Sequence, residues 1–443
     1  MSQAESESAN TEVLKRAVAL HREGRFDVAR PLYEQVLAAS PDSVDALHFY
    51  GLLTHQTGDS QRAVQLIARA ISLDPAYVDA HSNLGNVLKE LGQLDDARTS
   101  YENALACDPE HLDAHNNLGV LLRYLGDIRG SLEHLMTAIV LRPDWAYAHY
   151  NLGNTWATSG RADQAEKCFR RSIELDSKLS HGYQLLGWSL HALGRQHEAE
   201  ALFKRLLVLD PGNPIGTHML AACRGGDAVP ERASDAFVTT TFDEFASSFE
   251  SQLERLGYRG PQYIAEALAA HGAAPQNSLR ILDLGCGTGL CGPLLRPFAR
   301  VLEGVDLSSG MLDRARTAGH YDRLVERELV EHLRSGSDRF DAIVAADTLI
   351  YFGDLAPVFD AVRERLEPGG HWIFTLEHGP VDLGHHLFTH GRYGHGRRYV
   401  ETRLREAGFE LLGLETREIR RERGEPVKGW VVAALRSRAR ATP

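Results

Sequence analysis

The sequence has few cysteines and no long apolar run, and both absences exclude whole classes of protein. Its 443 residues include five cysteines, which are scattered, odd in number and form no CxxC pair. Neither a disulfide scaffold nor a zinc ribbon is therefore expected. No apolar stretch approaches the roughly 18 residues of a membrane-spanning helix. The start, MSQAESESAN, lacks the basic and apolar regions of a secretory signal, so we expect a cytoplasmic protein with no membrane segment.

The sequence also has fewer basic than acidic residues. The chain carries 48 Lys and Arg against 60 Asp and Glu, a net charge of −12. This balance argues against DNA as a partner, because proteins that hold phosphate backbones need a basic surface. The basic stretch ETREIRRERGEPVK near the C-terminus is expected to be a solvated strand. At roughly 100 to 200 residues per domain, the length predicts two or three domains.

A period of 34 residues fills the first half of the chain. Glycine recurs at that interval from Gly24 to Gly194, giving six repeats without an insertion. Rows of small residues lie at fixed positions before and after each of these glycines, beginning with Ala17 and Ala29. Large apolar residues follow the second row four positions later, so small and bulky side chains share one helical face. Proline ends the repeats except the fifth, where Ser177 stands.

These rows resemble the tetratricopeptide repeat (TPR). Residues 10–211 resemble six such repeats, and the run after Pro214 resembles a capping helix. One helical hairpin cannot bury its apolar face alone, so neighbouring repeats stack into a superhelix with a concave groove. The resemblance implies that this groove binds a protein or peptide.

Three asparagines recur at the same interval on the first helices of repeats three to five. Asn83, Asn117 and Asn151 would form a ladder of amides, which can hold the backbone of an extended peptide. The alternative is that these asparagines belong only to the repeat's average scaffold. Lys89 and Arg123 would add a contact to a carboxylate.

After Arg224, short β-like runs alternate with helical ones, which is typical of an α/β fold. The strand LRILDL carries Asp283 near its end and enters a loop with three glycines. Glycines allow the backbone to approach a ligand closely, and the acid can accept a hydrogen bond from it. A dinucleotide fingerprint would place its last glycine at Leu290, whereas the observed spacing is GxGxG.

The stretch DLGCGTGL resembles motif I of the class I S-adenosylmethionine (SAM) methyltransferases. The resemblance implies SAM as cofactor, S-adenosylhomocysteine as product, and a methionine pocket formed by Asp283, Gly285, Cys286, Gly287, Thr288 and Gly289.

The next strand ends in Asp306, whose carboxylate can hold both ribose hydroxyls. By the same resemblance, Leu307 and Met311 flank the adenine, although plain helix packing is an alternative for Met311. Glu328 would face the adenine amine, and Asp347 would emerge beside the cofactor at the end of the fourth strand.

Methyl transfer needs positioning, desolvation and in some cases a base. Tyr351 and His378 follow the fourth and fifth strands, and we predict them as catalytic residues that act as a base or orient the acceptor. Alternatively, Tyr351 packs on the cofactor and His378 is only a loop residue.

Six histidines crowd residues 371–395 without an HExxH motif or partner cysteines, so no metal site is expected. The segment GRYGHGRR is expected to be a mobile loop that presents Arg392, Arg397 and Arg398 to an anionic acceptor. A solvated loop is the alternative.

The predicted fold is an all-α TPR solenoid of six repeats with a capping helix, followed by a Rossmann-like α/β methyltransferase domain with a seven-stranded sheet. Phe242, Phe245 and Phe249 lie at helical intervals and indicate a lid helix, or ordinary core packing. The predicted segments are a disordered N-terminus at 1–9, the TPR superhelix at 10–222, a linker at 223–236, the methyltransferase domain at 237–437 and a tail at 438–443.

Together the two halves resemble a bacterial family of TPR-containing methyltransferases. The resemblance implies a SAM-dependent methyltransferase whose TPR groove recruits or positions the substrate, either a protein or an anionic or carrier-bound small molecule. Two alternatives stay open. One is a small-molecule O- or N-methyltransferase whose repeats serve only localisation, and the other is a TPR adaptor whose SAM-binding domain does not turn over.

Overall fold

The computed structural model describes residues 3–246, 249–271, 274–382, 384–422 and 425–437. The side chains of residues 3–8, 192, 244 and 245 lie outside this description. The chain forms two compact units, Met1–Gly182 and Tyr183–Pro443. No helix in the described ranges combines the length and the apolar character that crossing a membrane requires.

The first unit consists of five helical hairpins. Its helices are α1 (Gln3–Arg22), α2 (Phe26–Ala39), α3 (Val44–Gln56), α4 (Ser60–Leu73), α5 (Val78–Glu90), α6 (Leu94–Cys107), α7 (Leu112–Tyr124), α8 (Ile128–Leu141), α9 (Ala146–Thr158) and α10 (Ala162–Leu175). Helix α1 begins inside the stretch 1–9 that was expected to be disordered.

Glycine has two distinct roles in each hairpin. Gly58, at the turn between α3 and α4, has φ +95°, a left-handed conformation that glycine adopts without a steric penalty. Gly85 lies where α5 meets α6, and a Cβ atom there would stand 2.6 Å from the Tyr101 ring. The Tyr101 side chain is fully buried. The glycines that recur every 34 residues thus mark the turns and the closest contacts between helices.

The second unit begins with the sixth hairpin. Helices α11 (Ser180–Ala192) and α12 (Gln196–Leu209) precede the capping helix α13 (Pro214–Arg224). The helices that follow are α14 (Asp235–Phe245), α15 (Phe249–Arg255), α16 (Gly260–Ala270), α17 (Gly292–Leu295), α18 (Ser309–Ala318), α19 (Leu329–Ser335), α20 (Ala356–Arg365) and α21 (Arg397–Glu406).

A mixed sheet of nine strands forms the centre of the second unit. The strands are β1 (Leu279–Leu284), β2 (Ala299–Asp306), β3 (Arg323–Glu326), β4 (Phe340–Ala345), β5 (Leu366–His378), β6 (His385–Leu387), β7 (Tyr393–His395), β8 (Phe409–Glu422) and β9 (Glu425–Arg436). Their order is β3-β2-β1-β4-β5-β7-β6, with β9 antiparallel to β5 and β8 antiparallel to β9.

The predicted count of seven strands is wrong. The two additional strands, β6 and β7, form a hairpin of three-residue strands that pairs with the end of β5. Strands this short carry no readable alternation of apolar and polar residues. The segment GRYGHGRR, which was expected to be a mobile loop, therefore contributes β7 to the sheet.

Two apolar clusters enclose the sheet. Trp372 and Phe374 of β5 belong to one cluster, and Ile373 between them belongs to the other. Because successive side chains of a strand point to opposite faces, these clusters cover the two faces of the sheet. The parallel strands β1, β2 and β4 thus end at one common edge.

The capping helix α13 packs on the α/β part of the second unit. The His218 Nε2 atom lies 2.8 Å from the carbonyl oxygen of Gly391, and the His218 ring stacks on Phe237 of α14 at 3.9 Å. Ala222 belongs to an apolar cluster with Leu387 and Tyr393. Helix α13 therefore supports both α14 and the β6–β7 hairpin, and it continues past the predicted boundary at residue 222.

Candidate functional site

A cavity of about 330 Å³ opens at the carboxyl ends of β1, β2 and β4. The loop after β1 and the end of β2 form one wall, helices α14 and α15 form another, and β8 contributes to a third. In an open α/β sheet this edge is the usual place for a ligand. Of the residues predicted from the sequence, those that line the cavity are Gly285, Cys286, Gly287, Thr288, Asp306, Leu307, Met311, Glu328, Asp347 and Tyr351.

The loop after β1 is shaped by left-handed glycines. Gly285, Gly287 and Gly289 have φ values of +68°, +55° and +92°. A Cβ atom on Gly285 would lie 2.3 Å from the Thr348 hydroxyl oxygen, so a larger residue would force the loop away from β4. A Cβ atom on Gly287 would have Phe249 as its nearest neighbour, at 3.9 Å, so the space beside this glycine is open to a ligand.

Asp306 ends β2 beside this loop and is held by the backbone. Its Oδ2 accepts a hydrogen bond from the Gly287 N–H at 2.9 Å, and its Oδ1 accepts one from the Ser308 N–H at 2.9 Å. Burial raises the pKa of Asp306, and the backbone donors oppose that shift. A carboxylate offers about four acceptor positions, so these backbone donors leave acceptor capacity for hydroxyl groups of a ligand.

Asp283 lies behind the loop rather than in the cavity wall. Its side chain is fully buried, and Oδ2 accepts a hydrogen bond from the Tyr321 hydroxyl at 2.7 Å. Its Oδ1 has no hydrogen-bond partner among the described residues. Burial raises the pKa of Asp283 to about 7, Tyr321 opposes the shift and Asp306 adds to it. Asp283 and Gly289 are absent from the described lining of the cavity.

Three residues that line the cavity have buried side-chain atoms without a hydrogen bond to a described residue. The buried Thr288 Oγ1, Thr241 Oγ1 and Glu328 Oε1 lack a hydrogen-bond partner among the described residues. The other carboxyl oxygen of Glu328 accepts from the Glu331 N–H at 2.8 Å and caps α19. Buried polar groups are normally paired, so these atoms fit a polar ligand such as SAM.

The opposite end of the cavity holds a buried charge cluster centred on Arg420. This guanidinium donates to Asp347 at 2.7 Å, to Glu377 at 2.6 Å and to Glu422 at 2.8 Å. The Arg420 side chain is only 5% exposed. Burial opposes the charge of Arg420, but the three acids raise its pKa.

Arg392 and His390 complete the charge cluster. Arg392 pairs with Glu422 and lies 3.4 Å from Glu377, and the His390 Nε2 lies 3.1 Å from Glu377. Burial would raise the pKa of Glu377, but His390, Arg392 and Arg420 together lower it to about 2. Arg392 lines the cavity. Arg397 and Arg398 instead lie on α21, paired with Glu401 and Asp382 on the surface.

Aromatic residues cover the cavity. Phe242 of α14 makes edge contacts with Phe249 at 5.9 Å and with Tyr351 at 5.5 Å. Both phenylalanines line the cavity, and the Phe245 side chain lies outside the described residues. Tyr258 also lines the cavity and was missed in the sequence, because nothing in its spacing links it to a motif.

His378 lies outside the cavity, contrary to the prediction that it acts on the acceptor. It follows Glu377 on β5, and alternation along the strand turns its ring to the other face. That ring stacks on Trp430 at 3.7 Å, and its Nε2 lies 3.5 Å from the Thr416 hydroxyl. Of the two predicted catalytic residues, only Tyr351 borders the cavity.

The groove asparagines in the first unit are half-buried and connect neighbouring repeats. The Asn83 Nδ2 lies 3.0 Å from the His48 Nε2. Asn117 donates to Asn86 at 3.1 Å and Asn151 donates to Asn116 at 2.8 Å. The amide NH₂ groups therefore hydrogen-bond between repeats.

Comparison with known protein families matches both halves of the chain. A family described as a methyltransferase domain matches residues 254–418. Families described as tetratricopeptide or TPR repeats match residues 14–78, 66–99, 85–123, 146–179 and 180–213. These matches confirm the predicted repeats and the methyltransferase domain.

Curated methyltransferases are similar to part of this chain. Methyltransferase-like protein 27 of Homo sapiens is 34% identical over 30% of this chain and 53% of its own length. The malonyl-[acyl-carrier protein] O-methyltransferase of Erwinia pyrifoliae is 28% identical over 37% of this chain and 60% of its own length. The chain thus spans less than two thirds of each relative. Among solved structures, Pseudomonas aeruginosa pilF is 15% identical, with a TM-score of 0.45, over 49% of this chain and 99% of that one.

Proposed function

This chain joins tetratricopeptide repeats to a class I methyltransferase domain, and from that premise we propose that its cavity binds SAM for methyl transfer. The loop after β1 and Asp306 would hold the cofactor, and the acceptor would enter at the end formed by Arg392 and Arg420. The TPR unit would recruit a protein or peptide that is, or carries, the acceptor.

The observation that carries this proposal is the position of Asp306. Its carboxylate stands at the end of β2 between two backbone N–H donors, with acceptor positions left for a pair of hydroxyls. Thr288 Oγ1 and Glu328 Oε1, which make no hydrogen bond to a described residue, belong to side chains that line the same cavity. When bound, SAM supplies an electrophilic methyl group on a sulfonium. The chain itself supplies binding and orientation, and Phe242 and Phe249 keep water from the reacting atoms.

The test is the affinity for SAM of an Asp306→Asn variant, measured by titration calorimetry. The substitution replaces a carboxylate acceptor by an amide, so we expect binding at least about tenfold weaker, or about 1.4 kcal/mol. Asp313→Asn is the matched control, because Asp313 lies on the exposed side of α18 in an ion pair with Arg316. Equal affinities for the wild type and Asp306→Asn would contradict the proposed site.

Support for recruitment of an anionic partner comes from Arg123 in α7. Its buried Nε atom has no hydrogen-bond partner among the described residues, and burial lowers the pKa of its guanidinium. A carboxylate in the groove would satisfy it, whether from an acidic side chain or a chain terminus. Arg123→Gln should weaken methylation of a macromolecular acceptor through KM while leaving the affinity for SAM unchanged. An unchanged KM would argue against recruitment at Arg123.

A further inference from the structure

We propose that the methyl acceptor is a carboxylate, held by Arg392 and the hydroxyls of Tyr258 and Tyr351, so that the product is a methyl ester. This inference rests on the proposed function of the same cavity and names the chemical class of its second substrate.

The acceptor end offers hydrogen-bond donors that the protein leaves unused. Neither Tyr258 nor Tyr351 uses its hydroxyl in a hydrogen bond to a described residue, and both line the cavity. Arg392 engages Glu377 through Nε and Glu422 through Nη2, and its Nη1 makes no bond within the described ranges. The Arg392 side chain is 21% exposed. One guanidinium nitrogen and two phenol hydroxyls of lining residues are therefore without a hydrogen-bond partner in the described part of the chain.

The acids in this wall are already engaged. Asp347 accepts from the Thr375 hydroxyl at 3.0 Å through Oδ1 and from Arg420 at 2.7 Å through Oδ2. Glu422 uses Oε1 for both Arg392 and Arg420. A carboxylate accepts hydrogen bonds without donating any, so it matches the unused donors.

Among possible bases at the same end, burial raises the pKa of Asp347, but its two carboxyl oxygens are held by Thr375 and Arg420. The described lining contains no histidine and no lysine. Burial would raise the pKa of Glu422, but Arg392 and Arg420 lower it, which makes Glu422 a poor proton acceptor. Burial raises the pKa of Tyr351, so its hydroxyl stays protonated and acts as a donor. An alcohol or phenol would need to lose a proton to such a base, whereas a carboxylate is ionised at neutral pH.

The transfer to a carboxylate balances without any proton. The bond between the methyl carbon and the sulfonium sulfur breaks, and its electron pair stays on sulfur. A bond forms between a carboxylate oxygen and the methyl carbon. The products are a neutral ester and a neutral thioether, and no base, metal or redox partner takes part.

The chemical stability of the labelled product tests the proposal. Full-length protein is incubated with methyl-labelled SAM and a heat-treated cell lysate, and labelled products are then exposed to mild alkali. Esters hydrolyse and release labelled methanol, whereas methyl ethers and methylamines keep the label. We expect most of the label above an Asp306→Asn blank to become volatile.

Each other outcome is decisive. Label that resists alkali would overturn the carboxylate acceptor and leave the proposed methyl transfer standing. Absence of label in every fraction, with SAM binding intact, would overturn both. The pH profile is an independent check: kcat/KM should be flat between about pH 6 and pH 9, because a carboxylate has a pKa near 4. A tenfold rise per pH unit would indicate an acceptor that must lose a proton.

Arg392→Gln locates the acceptor within the cavity. We expect KM for the esterified acceptor to rise at least about tenfold, with the Kd for SAM unchanged. Arg398→Gln is the matched control, because Arg398 is 69% exposed and pairs with Asp382. If Arg392→Gln fails to fold, Tyr351→Phe removes one donor and keeps the ring. Unchanged KM in the folded variants would overturn the assignment of these donors.

Discussion

Asp283 is a buried carboxyl group, and its ionisation destabilises the folded state. It is fully buried, and one of its oxygens has no partner in the described part of the chain. Because burial raises the pKa of Asp283 to about 7, its carboxyl group binds a proton more tightly in the folded protein than in the unfolded chain. Stability from this group is therefore present at low pH and is lost as the pH rises from about 4 to 7.

We expect an Asp283→Asn variant to be more stable than the wild type at pH 8 without SAM. The raised pKa corresponds to a cost of up to about 4 kcal/mol above pH 7, which the amide does not incur. Thermal unfolding of both proteins between about pH 5 and pH 8 measures this difference in stability. The Tm of the variant minus that of the wild type should grow with pH. A difference that stays constant would show that ionisation of Asp283 is not the cause.

Single residues also show where sequence reasoning works and where it stops. The positions of Asp306 and the glycine loop follow from spacing, because Asp306 ends one parallel strand and the loop follows its neighbour. Arg420 was missed because its stretch was interpreted as a solvated strand. A register shift between Glu418 and Arg420 makes two consecutive residues, Ile419 and Arg420, point inward. Such a bulge breaks the alternation on which a prediction of burial depends.

At the scale of elements, the contact between α5 and α6 depends on Gly85. A methyl group there would overlap the Tyr101 ring, and overpacking a helix contact costs about 1–3 kcal/mol. We expect Gly85→Ala to lower the urea midpoint of the repeat unit despite the better helix propensity of alanine. Gly212→Ala is the control, because its nearest neighbour would lie 4.0 Å away. Equal losses in both variants would contradict the packing argument.

Elements were predicted well where a pattern recurs and poorly where it does not. The TPR helices repeat the same pattern of small and large residues, so they could be recognised from a single sequence. The hairpin of β6 and β7 has no repeat and too few residues for alternation. It forms because Gly394 and His395 pair with the end of β5, a tertiary contact that no local pattern reports.

At the scale of the whole molecule, the sixth repeat belongs with the α/β part. The second compact unit begins at Tyr183, and α13 supports α14 and the turn before Arg392. The contact between α13 and Gly391 means that removal of α13 would disturb the cavity through structure alone. An experiment on recruitment must therefore keep α11–α13.

Two truncated proteins test whether α13 stabilises the second unit independently of the first five repeats. A protein that starts at Ser180, the first residue of α11, should keep its affinity for SAM within about threefold of the full chain. One that starts at Gly225 loses the contacts of His218 and Ala222 and should unfold at a lower temperature. Calorimetry and thermal unfolding measure both effects. Equal stability of the two truncated proteins would show that α13 does not support the second unit.

The charge cluster around Arg420 has a consequence for the order of folding. The hydrogen bond from Arg420 to Asp347 joins residues 73 positions apart, whereas the bond from Gly287 to Asp306 joins residues 19 apart. Closing the longer loop costs more chain entropy, and contacts across long separations slow folding. On the ribosome, the glycine loop and Asp306 emerge well before β8 does. A nascent chain would thus form the glycine-loop end of the cavity first and the Arg420 end last, when the sheet is complete.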